Sequence, residues 1–463
     1  MTQILPHSAA ADVFNKDESR VNWHDETLWF VRQKRDKAAF QIPEWEALRE
    51  TASQIKNNAL SNLHDYLLEF EANAKKNGIK VHWAADAKEH NEIVLGIIRP
   101  PASEVPPLGI RGLVKSKSML TEECHLNEYL AENGVEVIDS DLGERIIQLN
   151  HQPPSHIVMP CIHLKKEEIS DIFHEHLGTE KGNADPQYLT ETARQHLRET
   201  FLTRTVALTG VNFAIAETGE FVVCTNEGNA DMGVHLADVH IACMGFEKII
   251  PKREHLGVFL RLLARSATGQ PITTYSSHFK KPRAGQEMHL VIVDNGRSTQ
   301  LGRPDFRNSL KCIRCAACLN TCPVYRRSGG HSYHSAISGP IGSILAPNLD
   351  MTKNADLPFA STLCGSCSNV CPVKIDIHQQ LYKWRQVLMQ AGHAPTAKTL
   401  SMKAMSFTLS SPAVFGNAGK MGRWVLKNTP FVVNNPLNLW YKQREMPEPP
   451  KESFREWYKR VKE

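Results

Sequence analysis

Residues 312–323 read CIRCAACLNTCP, and residues 361–372 read STLCGSCSNVCP. The first run fits C-x2-C-x2-C-x3-C-P at every position. That spacing wraps three thiolates around one face of an iron–sulfur cube and sends the fourth to a second cube. The proline after the last cysteine redirects the chain, because it has no N–H to continue the local hydrogen bonding. Zinc takes four tetrahedral ligands, commonly as two separated pairs, which leaves three cysteines in close succession unexplained. The second run is the same template with Ser361 where its first cysteine would stand. Crossed ligation then assigns Cys312, Cys315, Cys318 and Cys371 to one complete [4Fe–4S] cluster. Cys322, Cys364 and Cys367 are left for a second cluster, one ligand short. It is [3Fe–4S], or [4Fe–4S] completed by Ser361, another residue, water or a partner protein. Two clusters joined through shared runs sit close enough to exchange electrons.

The other four of the 11 cysteines, Cys124, Cys161, Cys224 and Cys243, lie in apolar or helical contexts and read as buried thiols. A secreted disulfide framework would spread its cysteines through a much smaller chain. The N-terminus lacks a basic segment leading into an apolar one, and no apolar run approaches the ~18 residues that cross a bilayer, so a soluble, cytoplasmic protein is expected. The 463 residues are 41% hydrophobic and 22% charged, a globular composition with room for about three domains. The net charge of +4 hides an asymmetry: residues 376–463 carry 14 Lys/Arg against 6 Asp/Glu, so the rest of the chain sums to −4. A basic end on a slightly acidic body suits an acidic partner protein, peripheral contact with an anionic membrane surface, or simply a solvated helical face. No RNP-like run, helix-turn-helix pattern or zinc-finger spacing is present, so nucleic acid is not an expected partner.

Upstream of the cysteines the pattern alternates. Pro43 opens a helical stretch that runs to about Lys76, with Leu48, Ile55, Leu60, Leu63 and Leu67 at helical spacing. Before it, only a short helix is expected, around residues 23–36. Strands are predicted at 80–83, 112–115, 135–139 and 156–160, with helices at 86–97, 122–132 and 165–173 between them, the second capped by Thr121. A helix over 186–203 leads into the apolar segment 211–224, broken at Glu217-Thr218-Gly219. Strands at 239–243, 272–275 and 289–293 and a helix at 253–265 follow, and Asn295-Gly296 ends the body as a turn. Such alternation implies crossover connections and a mostly parallel sheet. An amphipathic helix is expected at 377–390.

The segments VKSKSMLTEE (114–123), PPSHIVMPCIH (153–163), TGVNFAIAETGEFV (209–222) and NEGNAD (226–231) resemble the lactate-utilisation (LUD) domain. Together with the cysteine runs, SGPIGSILAP and the SFREWY end, they resemble the iron–sulfur protein family of the bacterial lactate-utilisation system, from about residue 45 to the C-terminus. The resemblance implies a LUD α/β body of the sugar-isomerase/CoA-transferase type, beside a mainly α-helical, ferredoxin-like domain holding two clusters. The expected division is an N-terminal helical region (1–76), the LUD body (77–300), the iron–sulfur domain (301–390) and a basic C-terminal region (391–463). It also implies an electron carrier in L-lactate oxidation to pyruvate, working beside a cysteine-rich-domain redox protein and a smaller second LUD protein. The three-cysteine second run is similar to the family's own.

Glu217 and Glu227 stand at loop-like breaks after apolar strands, where α/β folds place ligands, and are candidate catalytic carboxylates; turn chemistry explains them equally well. Lys115 and Lys117 are candidates for holding a carboxylate or phosphate, against the plainer expectation of solvated lysines. His331 and His334 are candidates for tuning or ligating the second cluster, against ordinary polar packing. No G-x-G-x-x-G or P-loop motif supports NAD, FAD or ATP. Removing two electrons from lactate needs a hydride acceptor, which this chain does not display. The leading expectation is an electron-transfer subunit. The alternatives are an autonomous transferase- or isomerase-type enzyme with structural or sensory clusters, and an iron–sulfur regulatory or scaffold protein.

Overall fold

A computed structural model describes residues 5–99, 112–393, 396–438, 441, 444 and 447–462. The chain forms two compact units, Met1–Val387 and Leu388–Glu463. In the first, ten strands follow in order: β1 (Lys80–Ala84), β2 (Leu113–Lys115), β3 (Val137–Asp139), β4 (Val206–Gly210), β5 (Phe213–Ile215), β6 (Glu220–Thr225), β7 (Val239–Gly245), β8 (Ile249–Ile250), β9 (Tyr275–Phe279) and β10 (Glu287–Val293). Six of them make a sheet in the order β1-β10-β7-β4-β2-β3, with every pairing parallel. All seven residues of β7 are buried, as expected of a central parallel strand covered by helices on both faces.

The other four strands form a small sheet in the order β8-β5-β6-β9. Glu217-Thr218-Gly219 closes the β5–β6 hairpin, as the break in the apolar segment predicted. Gly219 has φ +67°, and a Cβ there would meet the Ala74 backbone nitrogen at 2.3 Å, so the hairpin can lie against the helix Leu63–Lys76 only with glycine at its tip.

Several expectations need correction. Residues 156–160 form no strand; they bend, because His156 Nδ1 accepts the N–H groups of Val158 (3.1 Å) and Met159 (3.0 Å), which a ladder would otherwise use. β4, in the centre of the sheet, fell between the predicted helix and the apolar segment. The strand expected at 272–275 lies at Tyr275–Phe279, where Phe279 pairs with Phe221, while Ile272 is exposed. The helix expected at 43–76 breaks at Asn62 into Trp45–Ser61 and Leu63–Lys76. That expected at 122–132 breaks at His125 (φ +52°) into Met119–Glu123 and Leu126–Glu132. Ser118, not Thr121, caps the first of these, its Oγ accepting the Thr121 N–H at 3.3 Å.

The largest difference is N-terminal. Residues 18–40 form one 23-residue helix, with Asp17 accepting the Arg20 N–H at its start. It buries Val21, His24, Leu28, Arg35, Ala38 and Ala39. The positions repeat at helical spacing, but a histidine and an arginine occupy two of them and erase the apolar periodicity.

The second unit contains the helices Thr396–Leu409, Pro412–Asn428 and Phe454–Lys462. It exposes Leu400, Phe407, Trp424 and Phe431 beside its basic residues. No helix among the described residues is long and apolar enough to cross a membrane.

Candidate iron–sulfur centre

The two cysteine runs share one backbone course. Arg314 and Leu363, each directly before a cysteine, have φ +61° and +56°; Ala316 and Gly365, each directly after it, have +63° and +81°. A five-residue helix follows in each run, Ala317–Thr321 and Ser366–Val370. Each run then leaves its helix through an extended cysteine, Cys322 or Cys371. Backbone N–H groups aim at sulfur: Arg314 at Cys312 (3.4 Å), Tyr325 at Cys322 (3.5 Å) and Ile375 at Cys371 (3.3 Å). Such donors favour a thiolate over a thiol and tune whatever the sulfur binds.

Cys312, Cys315, Cys318 and Cys371 line one small cavity, walled by Ile157, Ile341 and Ile375. Burial pushes the Cys371 thiol up to about 11, and Cys315 and Cys318 higher still, each with another cysteine of this group as the next charge against it for Cys315 and Cys318. Bare thiolates would not persist here; iron would supply the positive charge that keeps them ionised. The residues therefore suit an iron–sulfur cluster. Burial and then Cys322 raise Cys367 to about 12, and burial raises Cys322, with the Cys364 thiol adding to it. Cys364 is exposed, so this second group opens to the surface. Among the described residues no three Cys, His, Asp or Glu side chains converge on a single ion.

Ser361 Oγ accepts the Leu363 N–H at 3.1 Å, and its carbonyl takes a hydrogen bond from Arg385. His331 Nε2 donates to the Pro153 carbonyl (2.8 Å) with its ring edge-on to His163. His334 lies 3.6 Å from Asp356.

The N-terminal helices and the α/β body fix this region from two sides. Arg49 donates to the carbonyls of Cys371 (3.1 and 2.9 Å) and Asn369 (2.6 Å), and Arg35 to that of Val370 (3.1 Å). These are the C-terminal carbonyls of the helix Ser366–Val370, where orphan acceptors and the negative end of the helix favour cations. From the body, His156 Nε2 donates to Asn320 Oδ1 (2.9 Å), between Cys318 and Cys322, and Asn320 donates to the Ala267 carbonyl.

A second cavity, of about 240 Å³, lies beyond the C-terminal ends of β2, β4 and β7, where open α/β sheets place ligands. Its lining includes Lys117, Asp141, Glu227, Lys248, Arg314 and Cys315, so it reaches from the body to the first cysteine run. Lys117 pairs with Glu144. Burial raises Glu144 to about 7 and Asp141 to about 6, and raises Glu227, whose Oε2 accepts the Leu142 N–H at 2.9 Å. Lys115 is not solvated: it is fully buried between Glu122 (2.6 Å) and Asp139 (3.1 Å). Glu217 stays in the hairpin turn, accepting the Arg253 N–H. Cys124 and Cys243 are buried and Cys161 and Cys224 half-buried, with Cys224 and Cys243 on the cavity wall. Asp141, Glu144, Lys248 and Arg314 were not singled out from sequence. Arg314 fills a variable position of the first cysteine run, and no motif marks the other three, which stand past strand ends that only the topology reveals.

The LUD domain family matches residues 67–297, a 4Fe-4S dicluster domain residues 308–375, and the C-terminal domain of lactate utilisation protein B residues 379–463. Lactate utilization protein B of Bacillus cytotoxicus is 44% identical over 442 residues, covering 92% of this chain and 91% of its own. The chain belongs to the lactate utilisation protein B family. Its Bacillus cereus relative of the same name is 43% identical over 439 residues, with 92% and 90% covered. The family's dicluster domain coincides with the paired cysteine runs, so the chain is an iron–sulfur protein of lactate utilisation. A crystal structure of a DUF162-family protein from Deinococcus radiodurans covers 50% of this chain and 97% of its own, at 14% identity and a TM-score of 0.27.

Proposed function

We propose that the chain is the electron-transfer subunit of a system that oxidises L-lactate to pyruvate, passing electrons through two clusters. The observation that carries the reading is the shared cavity of Cys312, Cys315, Cys318 and Cys371, in which one run supplies three thiols and the other the fourth. The first cluster is [4Fe–4S] on those four. The second, on Cys322, Cys364 and Cys367, is [4Fe–4S] or [3Fe–4S] and lies toward the surface, where a partner can meet it. Bound clusters supply one-electron transfer; the chain's residues hold them, exclude water from the first and donate hydrogen bonds to sulfur. The α/β body is of the sugar-isomerase/CoA-transferase type and the cluster domain ferredoxin-like. The partners are a cysteine-rich-domain redox protein and a smaller LUD protein, met in the cytoplasm, with the basic C-terminal region available for peripheral contact with the inner membrane face.

The test is cluster reduction by L-lactate in anaerobically purified protein, alone and with those two partners. Reduction is expected only with the partners, because no hydride-accepting motif is visible. Rapid reduction of the isolated, flavin-free chain would sink the subunit reading. It would favour an autonomous enzyme, for which the raised carboxyls of Asp141, Glu144 and Glu227 would provide acid–base groups.

A further inference from the structure

The cavity beyond β2, β4 and β7 contains a cation that no carboxylate pairs with. Among its charged walls, Lys117 is paired with Glu144, and Arg297 with Glu123 (2.9 Å) and Glu247 (2.6 Å). Arg314 reaches the same Glu247 at 3.8 Å. The carboxylates are likewise committed: Asp141 accepts the Lys117 N–H at 2.5 Å, and Glu227 that of Leu142. Lys248 differs. It directly follows Glu247, is half-buried, lines the cavity, and makes no hydrogen bond or ion pair among the described residues. Burial holds its ammonium down at about 8; Glu247 and Cys312 oppose that depression, and Arg314 and Arg297 add to it. A desolvated ammonium with no hydrogen-bonded partner is costly, and a bound carboxylate would reduce the cost through a charge-assisted hydrogen bond.

We propose that this cavity binds a small monocarboxylate of the hydroxy- or keto-acid class, anchored by its carboxylate on Lys248, with the Arg314-Cys315 turn of the first cysteine run as one wall. The size agrees: about 240 Å³ takes a three- or four-carbon acid with water and is too small for a dinucleotide. The surroundings agree as well. The second carboxyl oxygens of Asp141 and Glu227, outside their backbone bonds, can meet a hydroxyl group, while Met119, Val211 and Leu263 supply apolar wall for a short carbon chain. The choice of acid class rests on the lactate reading above; the anion site itself rests on Lys248. Cys315 belongs both to this wall and to the thiol cavity, so an occupant here touches the protein shell of the first cluster.

The experiment uses the anaerobically purified full-length protein without partners. Ligand-observed NMR and calorimetry are recorded with L-lactate, pyruvate, the uncharged isostere lactamide, and inorganic phosphate. L-lactate or pyruvate is expected to bind saturably, with lactamide at least tenfold weaker and phosphate a poor competitor. Lys248→Gln should weaken the acid at least tenfold while leaving iron content unchanged and melting temperature no lower, since Lys248 holds no other residue and its loss removes a desolvated charge. The EPR line shape of the reduced first cluster should change on adding the acid to wild type and not to the variant. Equal binding of lactate and lactamide, undiminished binding by Lys248→Gln, or no saturable binding of either acid would each overturn the proposal. Binding is read without electron flow, so the two readings fail separately. If partners deliver lactate's electrons to a chain that never binds the acid, only the cavity assignment fails. If the acid binds and partners never reduce the clusters, only the subunit reading does.

Discussion

Cys322 and Cys371 each leave the end of a short helix and turn away from the run that precedes them, which makes their loss the sharpest probe of crossed ligation. Cys371→Ala should remove mainly the complete cluster's EPR signal, although the residue lies far along the chain from Cys318. Cys322→Ala should remove mainly the second cluster, leaving it only Cys364 and Cys367. The reverse pattern, scored by EPR and iron content, would mean that each run binds its own cube. His156 offers a second test. Its Nδ1 accepts two backbone N–H groups and its Nε2 donates to Asn320, so the neutral tautomer is locked, and burial drives its pKa to about 3. The folded value lies below the unfolded ~6.5, so the unfolded state binds the extra proton first. The stabilisation is full above pH 6.5 and shrinks as pH falls toward 3, by about 2 kcal/mol at pH 5. Anaerobic melting between pH 5 and 7 should show a shallower acid slope in His156→Gln than in wild type. Some slope will remain, because burial also drives His163 and His240 to about 3. An unchanged slope would place the acid sensitivity elsewhere.

Among the elements, what the sequence revealed and what it hid have physical causes. β7 and β10 were legible because central parallel strands are continuous apolar runs, and both lay within a residue or two of their expected places. The helix Glu18–Phe40 was not, because it buries His24 and Arg35 against polar partners: His24 Nδ1 donates to the Arg326 carbonyl, and Arg35 to that of Val370. Cysteine spacing exposed the thiol groups, since each sulfur must reach an iron. The charged cavity escaped notice because its residues come from separate crossovers that share no local spacing. The matched runs yield a further prediction. Ala316 already adopts φ +63°, and Gly365 is its counterpart, with a Cβ there at least 3.9 Å from its nearest neighbour, His378. Gly365→Ala should therefore fold and keep both clusters, costing only the left-handed penalty of about 1–2 kcal/mol. Loss of iron from that variant would show that the second run needs glycine for more than its conformation.

At the scale of the whole molecule, the first unit is closed by contacts between distant parts of the chain. Arg49 spans 322 residues to reach the Cys371 carbonyl. Arg49→Met removes charge-assisted hydrogen bonds to the buried Cys371 carbonyl and the partly buried one of Asn369, and should cost about 3 kcal/mol. Anaerobic melting should show that loss, with the first cluster released more readily on oxygen exposure than in wild type. An unaltered melt and unaltered iron retention would reduce Arg49 to a bystander. The same span has a meaning for biosynthesis. At about 5–20 residues per second, the ribosome needs roughly a quarter of a minute to a minute to travel from Arg49 to Cys371. Throughout that interval Arg49 has no second cysteine run to grip. Under the crossed ligation proposed above, closing the first cage has to wait as well, since three of its thiols precede the fourth. A ribosome that stalls between residues 318 and 371 leaves a polypeptide carrying all ten described strands of the α/β body and, under that ligation, a thiol cage still open on one side.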